Sequence, residues 1–203
     1  MRKKSIKTRM AAALIGVAAT TAVLAGCGAG AGAGAGNVSS LTAYEISDMS
    51  GYGVDEIKDS NVFRSMTVKD MAKEMDNKNT FAIYFGFNNC PWCKRILPVL
   101  NDMAKKEGIE IGYMDTRKDP SWSSNLDIDD YDKFVEIAGS YLDTDSDGKK
   151  HLYVPHTFFI KDGKIVAEHS GAVPGYDSPS DEMTDEQKKE LEKAYSECFE
   201  KMK

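Results

Sequence analysis

The chain has 203 residues, which is enough for one ordinary domain and some additional sequence. It carries 26 Lys and Arg residues against 32 Asp and Glu residues, a formal net charge of −6. This acidic balance argues against nucleic-acid binding, and four cysteines are too few for a scaffold held together by several disulfides.

The first 26 residues have the pattern of an export signal. A basic start is followed by an apolar stretch from Met10 to Ala25. The next residues complete Leu24-Ala25-Gly26-Cys27, which resembles the lipobox of bacterial lipoproteins. The resemblance implies cleavage before Cys27 and a lipid on this cysteine. A plain signal peptide and an N-terminal membrane anchor are the alternatives, and all three export the domain.

Removal of residues 1–26 takes away five basic and no acidic residues, so the remaining chain has a formal charge of −11. Such a chain has no polybasic attraction to a membrane, and we expect the lipid on Cys27 to hold it there, on the extracytoplasmic face of the cell membrane. Residues 27–36 are almost entirely Gly and Ala and are expected to form a flexible tether. We divide the rest into an N-terminal extension, residues 37–65, without a clear fold signal, and a domain over residues 66–203.

The middle of the chain alternates helix and strand signals. Hydrophobic periodicity predicts, in chain order, a helix over residues 67–77, a buried strand over 81–87, a helix over 90–106 and a strand over 109–114. A strand, a helix and a strand in this order predict a right-handed parallel crossover.

The last third combines a helix, a hairpin and a second helix. An amphipathic helix with an acidic outer face is predicted over residues 129–141. Asp162-Gly163 lies between two β-rich runs and predicts a hairpin. Thr184 and Gln187 resemble a capping box that starts the final helix, and Cys198 on its inner face is expected to be a packed core thiol.

The motif Cys90-Pro91-Trp92-Cys93 lies where the strand over residues 81–87 gives way to a helix. Two thiols on a first helical turn can close a disulfide, and the free amide groups of the helix start favour a Cys90 thiolate. We expect Cys90 to attack a substrate and Cys93 to resolve the mixed disulfide, while Pro91 suits the first helical position. The alternatives are a permanent disulfide and a structural zinc half-site, although no second Cys-x-x-Cys supplies further zinc ligands.

A second motif is an acidic turn. Asp143, Asp145, Asp147 and Gly148 resemble the opening half of an EF-hand calcium loop, but position twelve of such a loop is Val154 and not a glutamate. The turn is therefore a weak calcium candidate, and an acidic solvated turn is the simpler interpretation. We expect no other metal and no dissolved cofactor.

The order of the predicted elements resembles the thioredoxin superfamily over residues 66–202. Beyond the cysteine pair, the matches are the helix-bending proline, the cis-proline with its preceding residue, the hairpin glycine and the glycine after the last strand: Pro98, Val154-Pro155, Gly163 and Gly171. The resemblance implies an α/β thioredoxin-like fold. Its central mixed β-sheet is flanked by helices, with a helical, acidic insertion before the cis-proline loop.

The resemblance also implies roles for individual residues. Pro155 lies against the sulfurs, the backbone of Val154 pairs with an extended substrate peptide, and Trp92 forms an apolar wall. His156 stabilises the thiolate if its ring turns inward; an exposed polar residue at the start of a strand is the alternative. Tyr84 stands where thioredoxin has a buried acid, so another group or a water must assist proton transfer.

Residues 83–86 together with the cysteine motif resemble thioredoxin-like proteins grouped with bacteriocin transport accessory proteins. We therefore expect a membrane-tethered, extracytoplasmic thiol-disulfide oxidoreductase. Its partners are thiols and disulfides of exported proteins and a redox partner protein, with no nucleic acid. The alternative is a non-catalytic accessory lipoprotein that binds an exported peptide or secretion machinery. The pair Pro91-Trp92 differs from the Gly-Pro of thioredoxin, and the sequence does not choose between reductase and oxidase.

Overall fold

The computed structural model of the chain describes residues 38–117 and 130–203. In chain order, its helices are α1 Asp55–Lys58, α2 Val68–Asp76, α3 Pro91–Glu107, α4 Tyr131–Ala138 and α5 Asp185–Glu200. Its strands are β1 Phe63–Ser65, β2 Phe81–Gly86, β3 Ile111–Asp115, β4 Asp143–Thr144, β5 Lys150–His151, β6 His156–Lys161 and β7 Lys164–Ser170. Short 3₁₀ turns lie at Ser50–Tyr52 and Gly139–Tyr141.

Five strands form a mixed sheet, and β4 and β5 form a separate hairpin. The order in the sheet is β1-β3-β2-β6-β7. Strands β1, β2 and β3 are parallel, whereas β6 is antiparallel to both β2 and β7. Helix α3 connects the parallel neighbours β2 and β3, and α4 with the β4–β5 hairpin precedes β6. The predicted α/β class, a central mixed sheet flanked by helices, is confirmed.

The side chains of the sheet divide into two hydrophobic clusters, one on each face. Alternation along β2 places Tyr84 in one cluster and Ile83 and Phe85 in the other. The first cluster includes the buried sides of α3 and α5, and the second includes those of α2 and α4. We call the first side the cysteine face, because it contains Cys90 and Cys93, and the second the opposite face.

Local signals end and begin the elements much as the sequence predicts. Thr67 and Thr184 start α2 and α5 with capping boxes, and Gly108 ends α3 in the left-handed conformation with φ 68°. The predicted hairpin joins β6 and β7 through Asp162 and Gly163, whose φ values of 51° and 73° are those of a tight hairpin turn.

The residues that precede α2 belong to the same domain as the rest of the described chain. Strand β1 pairs in parallel with β3 and adds an edge strand to the sheet. Leu41, Met49 and Tyr52 are fully buried in the two clusters. The segment that the sequence left without a defined fold therefore supplies part of the core.

The predicted signal segment over residues 1–26 and the tether over residues 27–36 lie outside the described residues. Within residues 38–117 and 130–203, no helix is long and apolar enough to cross a membrane.

Candidate active site

Cys90 and Cys93 lie at the start of α3, just beyond the carboxyl end of β2. Cys90 is the N-cap residue, and its Sγ accepts a hydrogen bond of 3.1 Å from the backbone N–H of Cys93. The two residues form a disulfide, with Cα atoms 5.2 Å apart, and Pro91 follows at the first helical position. Because free amide groups at a helix start favour negative charge, this position suits a Cys90 thiolate after reduction.

Both cysteines are nearly inaccessible in this disulfide form. Cys90 is 2% exposed and Cys93 is fully buried. Residues 171–184, which we call the covering loop, connect β7 to α5 and pack against the first turns of α3. Within this loop Tyr176 meets Trp92 edge to face, with ring centroids 5.6 Å apart. The covering loop therefore lies next to the cysteine pair, on the side of Trp92.

Arg95 on α3 anchors the covering loop. Its Nε donates a hydrogen bond of 2.9 Å to the carbonyl of Pro179, and its guanidinium pairs with Glu182. Inside the loop, the Tyr176 hydroxyl donates to the carbonyl of Asp181 at 2.6 Å. The composition of this segment indicates only a connection, so sequence analysis missed these residues as part of the site.

The Val154–Pro155 peptide bond is cis, and Val154 packs against the cluster that contains both cysteines. The register of β2 and β6 pairs Phe85 with His156, so the two residues before His156 lie opposite the loop that leads to the cysteines. The carbonyl of Pro155 accepts a hydrogen bond from Gly171. Within the described part of the chain, neither backbone group of Val154 has a hydrogen-bond partner. Its N–H and carbonyl are free to pair with an extended peptide.

His156 lies on the opposite face of the sheet. Its ring packs on Phe158, with centroids 4.4 Å apart, and its Nε2 lies 2.9 Å from Oε2 of Glu168. Phe158 belongs to the cluster of the opposite face. Burial lowers the pKa of His156 to about 4, so the ring is neutral at physiological pH. The inward orientation considered from the sequence is not found, because alternation along β6 directs this side chain away from the sulfurs.

The acidic turn forms the tip of the β4–β5 hairpin, which Asp143 enters from β4. Oδ1 of Asp145 accepts hydrogen bonds from the backbone N–H groups of Asp147 and Lys149, at 2.9 and 2.8 Å. Among the residues that the structure describes, no group of three or more His, Cys, Asp or Glu side chains is placed to hold a metal ion. The Asp145 carboxylate serves the turn, and the calcium candidate gains no support.

Cys198 is not part of this site. Cys198 on α5 is a free, buried thiol whose Sγ lies 3.7 Å from the carbonyl of Glu168, so the prediction of a packed core thiol is confirmed. Burial raises the pKa of Cys198, which keeps it protonated and unreactive. Cys27, the predicted lipidation residue, lies outside the described residues.

No protein-family model and no curated protein matches the chain. Thioredoxin O2 from Arabidopsis thaliana in its oxidized state is 18% identical, with a TM-score of 0.37 over 56% of this chain and 85% of that one. Desulfothioredoxin from Desulfovibrio vulgaris Hildenborough in its reduced form is 19% identical, with a TM-score of 0.39 over 68% of this chain and 99% of that one. Values this low carry no information on function. The strand order and the position of the cysteine helix show by themselves that the chain has a thioredoxin-like fold.

Proposed function

We propose that this protein is a membrane-tethered, extracytoplasmic thiol-disulfide oxidoreductase that acts on thiols and disulfides of exported proteins. The observation that carries the proposal is the placement of Cys90 and Cys93 at the start of α3, with a backbone N–H directed at the Cys90 sulfur. A helix start stabilises a thiolate, and a second cysteine one turn deeper can resolve a mixed disulfide.

The chemistry balances with the cysteine pair alone. In the reducing direction, the Cys90 thiolate attacks a substrate disulfide, and one substrate thiolate leaves and takes up a proton. Cys93 then loses its proton to solvent and attacks the Cys90 sulfur, which closes the Cys90–Cys93 disulfide and releases the second substrate thiolate. Two electrons pass to the substrate, and a redox partner protein restores the pair. Substrate oxidation is the same sequence reversed, and neither direction requires a dissolved cofactor.

The groups around the cysteines suit a peptide substrate. The free backbone of Val154 can extend a strand with the substrate, next to Pro155. Trp92, packed against Tyr176, forms an apolar wall on the side of the covering loop. Tyr153 is 55% exposed and adds an aromatic surface beside Val154. These contacts recognise an extended chain with apolar side chains near its cysteine.

The tether is the second part of the proposal. It rests on the lipobox-like sequence that ends at Cys27 and on the charge of −11 that remains without residues 1–26. Labelling of cells with an alkyne fatty acid should mark the wild-type chain and not a Cys27→Ala variant. Equal labelling of both chains excludes this anchor.

The redox proposal is tested by equilibrating the protein in thiol-disulfide buffers and by following reduction of a protein disulfide. The wild-type pair should reduce and reoxidise reversibly, Cys90→Ser should abolish exchange, and Cys198→Ser should behave as wild type. A potential near or below about −270 mV favours a reductase, and one of about −120 to −180 mV favours disulfide formation or reshuffling. If Cys90→Ser preserves the cellular function that deletion abolishes, the protein is a binding accessory factor instead.

A further inference from the structure

A groove runs along the exposed side of α3 and reaches the cysteine pair. Its volume is about 650 Å³, and its lining includes Pro91, which is exposed between the two cysteines. The residues of α3 that line it recur at helical spacing and so share one face of the helix: Pro91, Lys94, Arg95, Pro98, Val99 and Asp102. From Pro91 to Asp102 this face is about 16 Å long, the length of about five residues of an extended chain.

Two other segments complete this groove, which we call the α3 groove. One is residues 53–56, which lead into α1. The other is the end of the covering loop together with α5, through Pro179, Glu182, Met183, Lys188 and Glu192. Arg95 attaches the covering loop to α3 at the carbonyl of Pro179. Val154 is not among the lining residues, so the α3 groove is a different surface from the backbone that pairs with the substrate.

Acidic side chains outnumber basic ones in the α3 groove. Five acidic and three basic residues line it, and one of the basic ones, Arg95, is already paired with Glu182. The acidic residues come from all three segments: Asp55 and Glu56 at α1, Asp102 on α3, and Glu182 and Glu192 on the side of α5. A cationic segment therefore complements the groove, whereas a second copy of this acidic chain is repelled.

The lining also supplies apolar contacts and a backbone acceptor. Val54, Val99 and Met183 are its apolar side chains besides the prolines. Pro98 has no N–H, so the carbonyl of Lys94, four residues earlier in α3, lacks its usual helical donor. Because both residues line the groove, this carbonyl can accept a hydrogen bond from a bound chain. Carboxylates beside apolar side chains suit Lys and Arg, whose stems are apolar and whose ends are charged.

We propose that the α3 groove binds a basic segment of the protein substrate, close in the chain to the cysteine that reacts with Cys90. This inference rests on the proposed function and names its substrate class: exported proteins with Lys or Arg and apolar residues near the reactive cysteine. Pro91 connects the groove to the cysteine pair, and about five residues of extended chain fill it. Such binding adds affinity for the substrate and leaves the chemistry at the sulfurs unchanged.

NMR of the full chain labelled with ¹⁵N tests binding without any exchange chemistry. The probe is a short, cysteine-free peptide of alternating Lys and Leu, and the comparison peptide has Glu in place of Lys. The Lys peptide should shift the amide signals of residues 53–56, 94–102 and 182–192, and it should bind more weakly in about 1 M salt. Equal shifts with the Glu peptide, or none with the Lys peptide, overturn the inference. Groove signals that move with protein concentration alone indicate a second copy there and also overturn it.

Paired variants locate the binding site. Glu56→Gln with Glu192→Gln removes a carboxylate from each of two segments of the groove and should weaken binding of the Lys peptide about fivefold. Asp59→Asn with Glu190→Gln is the matched control, because both residues are exposed next to the same helices but neither lines the groove. Its affinity should equal that of the wild type. Equal weakening in the two double variants overturns the inference.

Exchange kinetics connect the groove to the substrate. Each peptide is extended by one cysteine, oxidised to its disulfide dimer and reduced by the protein, with a dithiol present to regenerate the cysteine pair. The Lys peptide should have a lower KM than the Glu peptide at similar kcat, and Glu56→Gln with Glu192→Gln should reduce this difference. Equal KM values for the two peptides in the wild type overturn the inference. A failure of the proposed function is seen separately, because neither disulfide is then reduced while the cysteine-free Lys peptide still binds.

Discussion

At the scale of single residues, the face of a strand decides which groups serve the cysteines. His156 and Thr157 are neighbours on β6, yet His156 contacts Phe158 and Glu168 on the opposite face. Thr157 lies on the cysteine face, next to Tyr84 in the strand register. Thr157, and not His156, is therefore on the face of the sheet that holds the disulfide.

The buried His156 should make stability depend on pH. Burial lowers its pKa from 6.5 to about 4, so between these values the unfolded chain binds a proton that the folded chain does not. The neutral His156 ring therefore adds to the free energy of unfolding above pH 6.5. This stabilisation is lost as pH falls toward 4, by up to about 3 kcal/mol. Burial raises the pKa of Glu168 on β7, so its effect on stability has the opposite dependence on pH. The carboxylate of Asp143 on β4 favours the charged form of the His156 ring.

Urea unfolding at pH 7 and pH 4.5 measures this effect. The free energy of unfolding should fall between these pH values in the wild type and should fall less in His156→Gln, since the carboxylates are the same in both. If the free energy of unfolding falls equally in the wild type and in His156→Gln, the pH dependence does not come from His156.

At the scale of elements, the covering loop packs against the start of the cysteine helix. It contributes Tyr176 to the cluster of the cysteine face and is attached to α3 by Arg95. The sulfurs lie at a helix start, which favours reactivity, yet Cys90 is nearly buried beside this loop. We expect reaction with a protein substrate to require the loop to move.

Weakening the attachment of this loop should speed reduction of the disulfide. Arg95→Met removes the hydrogen bond to Pro179 and the ion pair with Glu182. Opening of the covering loop then costs about 1 kcal/mol less, so a bulky thiol should reduce the Cys90–Cys93 disulfide about fivefold faster. The increase in rate should be smaller for a small thiol. Lys193→Met breaks an exposed ion pair within α5 and should have no effect. Equal rates in the two variants argue against the loop as the barrier.

The turn between β6 and β7 gives a second prediction for an element. Gly163 has φ 73°, and a Cβ there would lie 2.1 Å from the carbonyl oxygen of Met75. Gly163→Ala should cost about 2 kcal/mol or more, because both the backbone and the neighbouring chain must shift. Gly148→Ala, at φ 77° with open space around it, should cost only about 1 kcal/mol. Chemical denaturation of both variants separates the two contributions, and similar losses contradict the proposed clash.

At the scale of the whole molecule, residues 38–65 are a structural part of the domain. They supply β1 to the sheet and bury Leu41, Met49 and Ile57 completely. Tyr52, whose hydroxyl lies 3.1 Å from that of Tyr113, belongs to the same cluster as the two cysteines. Stability and the environment of the site thus both depend on a segment that has no clear pattern in the sequence.

A chain that begins at residue 66 should therefore fail to fold stably. It lacks five fully buried apolar side chains from residues 38–65, each of which contributes about 1.5–3 kcal/mol. Their sum reaches the whole stability of a typical domain, about 5–15 kcal/mol. A chain over residues 38–203 is the control and should unfold cooperatively by circular dichroism. A cooperative transition at the same temperature for residues 66–203 contradicts the prediction.

Local signals explain what was predictable. The capping boxes at Thr67 and Thr184 and the turn at Asp162-Gly163 each depend on a few consecutive residues. The candidate reactive residues could also be predicted, because a cysteine pair at a strand-to-helix boundary is visible in the sequence. The contacts of Arg95 with the covering loop could not be predicted, since they join segments more than eighty residues apart.

The sequence by itself determined most of the helices and strands after residue 66, that two cysteines share the first turn of a helix, and that an α/β fold with a mixed sheet forms. These features follow from periodicity, capping and turn chemistry, which act over one or two turns of chain. Only the tertiary structure decided that His156 points away from the sulfurs, that the covering loop packs on Trp92 and Arg95, and that residues 38–65 contribute to the core. Those arrangements depend on strand register and on packing between distant segments, which local sequence patterns do not specify.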